Sequence, residues 1–370
     1  MKKQKGGPIN QKADRYITKG DGIPSRTTVT CSSRYHTNQT KEKRAETMII
    51  KKREMPQYIK TLQCIARRMP DFHPKKQVVE EELYKQMAGY KGEKSSDYYI
   101  SYLDPAPLVL YNIRLNNGDF NFQIDTMLIF NKAIFILEVK NLAGTIEIRS
   151  SYDQVLKTIN DQTSAQKSFH TQVTLQKGNL DRWIKRRFNI KMPIIPLIIM
   201  SNPRSILKAE SPELLGNVHP SSSIPFAVYR ELDKLSSKKH SSKQIRALAE
   251  QMAASHEELE VDWFERFDFN IKTLLVGMSC PSCEQFDIVH SSMKWSCKNC
   301  SFSGFQIVES ALEEAFLLMG EGIRNKELRK FMGELSTQTM NRIARKANLH
   351  KTGLTKGTKY YRRKLDSEEK

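Results

Sequence analysis

Two apolar runs separated by two residues constrain this chain more than any other feature. Residues 120–130 and 133–139 are rich in β-branched and aromatic side chains, with Asn131-Lys132 between them. A two-residue link led by Asn fits a tight β-hairpin turn. With Asn131 and Lys132 as the turn, Phe130 faces Ala133, Met127 faces Ile136, Asp125 faces Glu138 and Gln123 faces Lys140. Opposed residues point to one side of a sheet, with Cβ atoms about 4.5–5.5 Å apart. Asp125 and Glu138 so placed repel each other. Strand alternation gives them the same face as Met127, Ile129, Ile134 and Ile136, so burial sharpens the repulsion.

A hard divalent cation resolves this conflict. Mg²⁺ (or Mn²⁺) takes carboxylate oxygens at about 2.0–2.1 Å and keeps several waters. Lys140 follows Glu138 by two residues and adds a positive charge on the same face. Such a set suits phosphodiester hydrolysis, in which the metal activates water and Lys140 orients that water or stabilises the charged transition state. The alternative is an ion network that closes a strand end, since E-x-K is a common pattern. A one-residue slip of register would put Asp125 and Glu138 on opposite faces and break the site.

Around the hairpin, residues 55–69 and 76–94 read as helices, the second with Val78, Val79, Leu83 and Met87 at helical spacing. It runs on through Gly89 and Gly92 to Glu93, which predicts an interruption or a tightly packed segment. Residues 108–113 read as a first strand, 160–186 as a helix containing Gln172, Gln176, Leu180, Trp183 and Ile184, and 194–200 as a buried strand. Helix, strands, helix, strand makes an α/β domain ending near residue 205. Residues 205–222 look loop-like, and 241–260 helical, with Ile245, Leu248, Ala249 and Met252 on one face.

The cysteines carry a second signal. Cys280-Pro281-Ser282-Cys283 and Cys297-Lys298-Asn299-Cys300 are two C-x-x-C knuckles, whose spacing fits a closed, structural Zn²⁺–S₄ site. The residues between them suit the short strands of a zinc ribbon at 276–306. His290 is expected at the surface. Beyond the ribbon, Asn325 is a candidate N-cap, Gly333-Glu334 a turn and Ser336 the cap of a second helix. That helix turns Met340, Ile343 and Ala344 inward, and Gln338, Asn341, Arg342 and Arg345 outward. The pattern resembles a helix-turn-helix, and residues 351–364 make a candidate wing or arm. There Lys356, Lys359, Arg362 and Arg363 suit phosphates and Tyr360 and Tyr361 suit stacking on bases. Deleting residues 309–370 is expected to weaken DNA binding and flatten its salt dependence.

Composition bounds the rest. The 370 residues are 39% hydrophobic, enough for two or three domains. The formal net charge of +19 points to an acidic polymer, nucleic acid or an anionic membrane surface. No run of about 18 apolar residues predicts a spanning helix, and the basic start lacks the apolar segment of a secretory signal. Unpaired Cys31 and Cys64 beside a metal-type cluster suggest a reducing, cytoplasmic setting. Residues 1–47, basic and without period, read as a disordered extension, with Met48 the expected true start.

Taken together, Gly89-Tyr90-Lys91-Gly92-Glu93, Gln123-Ile124-Asp125 and Ile136-Leu137-Glu138-Val139-Lys140-Asn141 with Gly144 resemble the nuclease-related domain called NERD. The resemblance spans roughly residues 80–205. That family is similar to the PD-(D/E)xK nucleases, which implies a restriction-endonuclease-like mixed sheet flanked by helices. The resemblance implies that Glu93 helps hold metal or water, that Asp125 and Glu138 are metal carboxylates, and that Lys140 is the catalytic lysine. Gln172 matches the glutamine of the following helix, although Phe169-His170-Thr171 lacks the proline often found before it. DNA is the substrate the family favours. The expected order is therefore the extension 1–47, a helical lead-in 48–79, the nuclease-like domain 80–205, a helical connector 206–275, the ribbon 276–306 and the basic tail 309–365. A non-catalytic nucleic-acid-binding or adaptor protein that keeps the fold is the alternative, and a membrane-surface module a third.

Overall fold

The computed structural model describes residues 48–363, apart from 152, 189, 236–238 and 292–293 and the side chain of Lys356. The basic extension 1–47, Cys31 and Lys364 lie outside the described residues, and so does the expected start at Met48 as far as what precedes it is concerned. In chain order the first elements are β1 (Met48–Lys51), α1 (Gln57–Arg68), α2 (Lys76–Ile100), β2 (Leu108–Asn116), β3 (Asn121–Ile129) and β4 (Ile134–Lys140). Then come β5 (Gly144–Arg149), β6 (Gln154–Ile159), β7 (Gln162–Lys167), α3 (Phe169–Arg187), β8 (Ile194–Met200), β9 (Ser205–Ala209) and β10 (Val218–Pro220). The second half holds α4 (Ile224–Asp233), α5 (Ser242–Ala254), α6 (Trp263–Phe267), β11 (Ile288–Ser291), β12 (Lys294–Cys297) and α7 (Gln306–Met319). It closes with β13 (Ile323–Arg324), α8 (Asn325–Phe331), α9 (Thr337–Lys346), β14 (His350–Thr352) and β15 (Lys359–Tyr361).

Six strands form a mixed sheet in the order β1-β2-β3-β4-β8-β10. The β3–β4 hairpin has the register its two-residue turn demands: Thr126 pairs with Leu137, Met127 with Ile136 and Ile129 with Ile134, and the Phe130 N–H donates to the Ala133 carbonyl at 2.9 Å. β8 lies parallel to β4 and β10 parallel to β8. One sheet face, through Met127, Ile129, Ile134 and Ile136, buries against Leu180 and Trp183 of α3 and Leu248 and Met252 of α5. On the other face, Leu128, Phe135 and Leu137 pack with Ile100 of α2 and Ile224 and Val228 of α4. The result is a mixed sheet flanked by helices on both sides.

Regular alternation fails at one place. Phe122 and Ile124 share a cluster with Met127 and Ile129, so the inward parity of β3 changes across Asp125 and Thr126. On β2 it changes across Asn112, between Leu110 and Ile113, and Asn112 has φ 48°. Asn tolerates the left-handed region better than other non-glycine residues, because its short amide bonds locally. Here that amide oxygen accepts from Gln123 Nε2 at 2.6 Å. Strict alternation through Asp125, expected from the hairpin, is thus corrected: the pleat breaks at the position of the candidate carboxylate.

The helix expected over 160–186 starts later, at Phe169, where Ser168 Oγ accepts from the Thr171 N–H. The preceding residues form β6 and β7, joined by Asn160 and Asp161, both at positive φ (47° and 61°). With β5 and β9 these strands build a second, four-stranded sheet, and β9 and β10 occupy a stretch expected to be loop. Met48–Lys51 is a sheet strand rather than part of a helical lead-in.

Residues 323–361 form a helix-turn-helix-like unit, α8 and α9, with a three-stranded sheet, β13-β15-β14, in which β14 and β15 pair antiparallel as the wing. Gly333 and Glu334 turn at φ 95° and 57°, and Ser336 caps α9. Arg324, not Asn325, occupies the cap position of α8; Asn325 Nδ2 instead donates to the Tyr360 hydroxyl at 3.0 Å. This module is not a detachable tail. Leu62 and Ile65 of α1, Val79 of α2, Trp295 of β12, Leu312 and Phe316 of α7, and Met340 of α9 belong to one buried cluster. Deletion from residue 309 would cut α7 and open that core, so point substitutions are the sound test of DNA binding.

Candidate active site and zinc centre

The site forms where β3 and β4 separate. Beyond the Thr126–Leu137 pair, the Asp125 carboxylate replaces a main-chain acceptor: the Val139 N–H donates to Asp125 Oδ2 at 2.9 Å. Glu138, one pair beyond on β4, is only 3% exposed. Its Oε1 accepts from Lys140 Nζ at 2.7 Å and from Gln172 Nε2 at 2.6 Å, and its Oε2 accepts from Gln176 Nε2 at 2.7 Å. Lys140 Nζ also donates to Gln172 Oε1 at 2.9 Å. Gln172 and Gln176 stand one helical turn apart on α3, so both amides face the strand.

Glu93 comes in from α2. A Cβ on Gly92 would collide with Asn141 Cβ and lie 2.7 Å from Ser201 Oγ, so only glycine lets the helix close on the ends of β4 and β8. The tightly packed reading of the glycine segment is the one the fold adopts, and α2 continues unbroken to Ile100. Arg53, buried with its side chain 4% exposed, receives this helix. Its guanidinium pairs with Glu93, forks onto Asp97 at 3.0–3.2 Å, donates to Thr126 Oγ1 at 2.7 Å and lies 4.4 Å from the centre of the Tyr111 ring.

The electrostatics follow from this crowding. Burial pushes Glu93 up to about 7, and Glu138 and Asp97 add to the rise while Arg53 opposes it. Asp125 is raised well above the usual carboxylate range, first by burial and then by Glu138 and Glu93. Tyr58 of α1 is pushed up to about 12 by burial and by the negative charge of Glu93 and Asp125. The three carboxylates thus act on one another, yet their oxygens do not gather into a tight ligand set. Among the described residues, the group of three or more His, Cys, Asp or Glu whose ligand atoms all lie within 4.8 Å is Cys280, Cys283, Cys297 and Cys300. Each acid also has protein partners of its own: Arg53 on Glu93, the Val139 N–H on Asp125, Lys140 and two glutamines on Glu138.

Asp125, Glu138, Lys140, Gln172 and Glu93 are therefore brought to one place. Residues 88–201 match the family model of the nuclease-related domain. The NERD span runs from within α2 to just past β8 and contains all five, together with Gln176. No curated protein and no solved structure shows a significant match to the chain. Arg53 lies outside the matched span and, like Gln176, was missed as a site residue by sequence reasoning. Gln176 had a signal in its i, i+4 spacing from Gln172; Arg53 had none, since its partners lie 40 to 73 residues away.

In the cysteine module, β11 and β12 form the hairpin between the knuckles, and Sγ–Sγ distances of 3.5 Å (Cys280–Cys300) and 3.6 Å (Cys283–Cys297) bring the four thiols together. The Cys283 thiol is pushed down to about 6, mainly by a hydrogen bond with the Asn299 side chain. Four sulfurs with no open position suit tetrahedral Zn²⁺. His290 is exposed and stacks on Trp295, with ring centres 4.2 Å apart.

Of the residues expected to touch nucleic acid, Arg342, Arg345, Lys359, Arg362 and Arg363 are exposed. Arg362 is engaged by Glu321 at 2.6 Å and Arg363 by Asn348 at 2.9 Å. Tyr360 requires a correction. It is fully buried, its hydroxyl tied to Asn325 and Asn341, so its ring fills the core and is closed to bases.

Proposed function

We propose that the protein is a metal-dependent phosphodiester hydrolase acting on DNA in the reducing cytoplasm, with Asp125 and Glu138 as metal carboxylates. One observation carries this reading. Three acids from two strands and a helix meet beside a lysine inside a nuclease-related domain, and burial with mutual repulsion raises two of them. A buried anionic cluster of this kind favours a cation, and its oxygen donors suit Mg²⁺ or Mn²⁺. Bound there, the ion would supply an activated water and neutralise charge on the phosphoryl oxygens. Asp125 and Glu138 would hold it, with Glu93 supporting the metal or its water. Lys140 stabilises negative charge on the reacting phosphate, and Gln172 fixes the directions of both Lys140 and Glu138. The ribbon thiolates would carry structural Zn²⁺, and the basic C-terminal module would hold the DNA. Among the described residues no helix is long and apolar enough to cross a membrane.

The test is cleavage of labelled DNA with Mg²⁺ or Mn²⁺ by the wild type, Glu138→Ala and Lys140→Ala. Each substitution should reduce the rate roughly 100-fold or more. No cleavage by the wild type, or full activity in both variants, would refute the enzymatic reading. It would favour a binding protein that keeps the fold, a reading supported by the protein partners that already occupy the carboxylate oxygens.

A further inference from the structure

The ribbon and the helix-turn-helix meet at a cleft of about 290 Å³. One wall is the ribbon hairpin, with His290, Lys294 and Trp295; the other is α9, with Arg342 and Lys346, and Phe305 lies between them. Arg342 and Lys346 stand one helical turn apart on α9 and both line the cleft, Arg342 from the edge of the outward face it shares with Gln338 and Arg345. Lys294 and Arg342 have no carboxylate partner among the described residues, whereas Arg362 nearby is neutralised by Glu321. Lys346 Nζ sits 4.3 Å from the centre of the Phe305 ring. Exposed His290 is backed by Trp295, which is 9% exposed.

We propose that this cleft binds one nucleotide of single-stranded DNA, its phosphate between Lys294 of the ribbon and Arg342 and Lys346 of α9, its base against the His290–Phe305 wall. The inference rests on the reading of DNA as substrate and adds the form of DNA and the residues that take it. At about 290 Å³ the cleft has room for one nucleotide, and the aromatic wall favours a single strand, because bases stacked within a duplex are not free to lie against it. Converging cations with an aromatic wall are the chemistry by which single strands are held, charge tracking the backbone and rings stacking on bases. Two elements of one packed core thereby take one strand, and a ribbon without α9 would present half a site.

Fluorescence anisotropy with the full chain tests this, using a labelled single-stranded oligonucleotide and a blunt duplex of the same sequence, without divalent metal so that neither is cut. Lys294→Ala and Arg342→Ala should each lower the log–log salt slope for the single strand by about 0.7. His290→Ala should weaken single-strand binding roughly fivefold at unchanged slope. Circular dichroism and zinc content establish that each variant is folded. Unchanged slopes, or equal losses on single strand and duplex, would overturn the proposal. The outcome is independent of cleavage: loss of activity in Glu138→Ala alters no anisotropy slope, and intact slopes in Arg342→Ala leave the catalytic reading standing.

Discussion

Replacing Arg53 by methionine should destabilise the protein in a way that depends on pH, and the direction can be worked out. Methionine keeps an unbranched stem beside Tyr111 but removes the charge shared by Glu93 and Asp97. Removing one partner of a buried ion pair costs about 3–5 kcal/mol. The stranded carboxylates escape part of this by taking up protons. Wild-type Glu93 has its pKa at about 7, above the ordinary 4.5, so its protonated form already dominates in the folded state at about pH 5.5, and losing Arg53 there costs little through Glu93. At about pH 8 the wild-type group is charged, and the variant must either keep an unpaired charge or protonate it. Protonation one unit above the wild-type pKa costs about 1.4 kcal/mol. Asp97, also raised by burial while Arg53 lowers it, adds a contribution of the same sign. A carboxyl whose folded pKa exceeds its unfolded value loses stability as pH rises through that interval, and the substitution widens the interval upward. The destabilisation measured by urea unfolding at about pH 8 should therefore exceed that at about pH 5.5, by up to roughly 1.4 kcal/mol through Glu93, with Asp97 adding in the same direction. Trp183, buried in the sheet core, is a fluorescence reporter for this transition. An equal loss at both pH values, or a larger one at the lower, would refute the assignment of Arg53 as the counter-charge and leave only a packing role.

Two further outcomes follow from the same geometry. Gln176→Leu frees Glu138 Oε2 from its amide partner and should weaken Mn²⁺ binding, measured by calorimetry, about tenfold; unchanged affinity would mean that Gln176 does not set the carboxylate's direction. Chelating the ribbon metal should release about one Zn²⁺ per chain and change Trp295 fluorescence, and because Trp295 shares a core with α1 and α7 it should also lower the thermal midpoint of the C-terminal module; a midpoint unaffected by chelation would show that the ribbon contributes nothing to that core.

The parts of the fold legible in the sequence are those set by local spacing. The Asn131-Lys132 turn specifies the hairpin register, which the structure follows as far as Thr126 and Leu137; the strands part before Asp125 and Glu138, and Asp125 takes the Val139 N–H instead. The two C-x-x-C knuckles specify a thiol cluster, and the spacing of Met340, Ile343 and Ala344 specifies the inner face of α9. What escaped was set by contacts distant in sequence. Arg53 reaches Thr126 across 73 residues, and Arg68 reaches Glu314 across 246. The β6–β7 hairpin escaped for a different reason. Gln162 to Lys167 is polar and exposed, so its strands carry little apolar alternation, and the turn signal lay in Asn160-Asp161, two residues that tolerate positive φ. Tyr360 was misread because an aromatic in a basic segment has the same local pattern whether its ring faces solvent or the core.

The domain order expected from sequence separates elements that the structure joins. α1 and the start of α2 look like a lead-in to the nuclease-like domain, yet Leu62, Ile65 and Val79 pack with the ribbon and the helix-turn-helix. At the end of α1, buried Arg68 pairs with Glu314 of α7, donates to the Leu275 carbonyl at 2.9 Å and lies 4.1 Å from the centre of the Phe331 ring of α8. Such a buried pair contributes little net stability but penalises any arrangement that separates its members. The other end of the same segment carries Arg53 on Glu93, and Tyr58 lies within the field of Glu93 and Asp125. α2 repeats the connection: Val79 belongs to the C-terminal core, Gly92 and Glu93 to the site, and Ile100 to the sheet. Its 25 residues extend about 37 Å. Two helices thus tie the C-terminal module to the carboxylates through packed side chains rather than through a flexible linker, so a strand held there, as proposed above, would be presented to the carboxylates at a fixed distance.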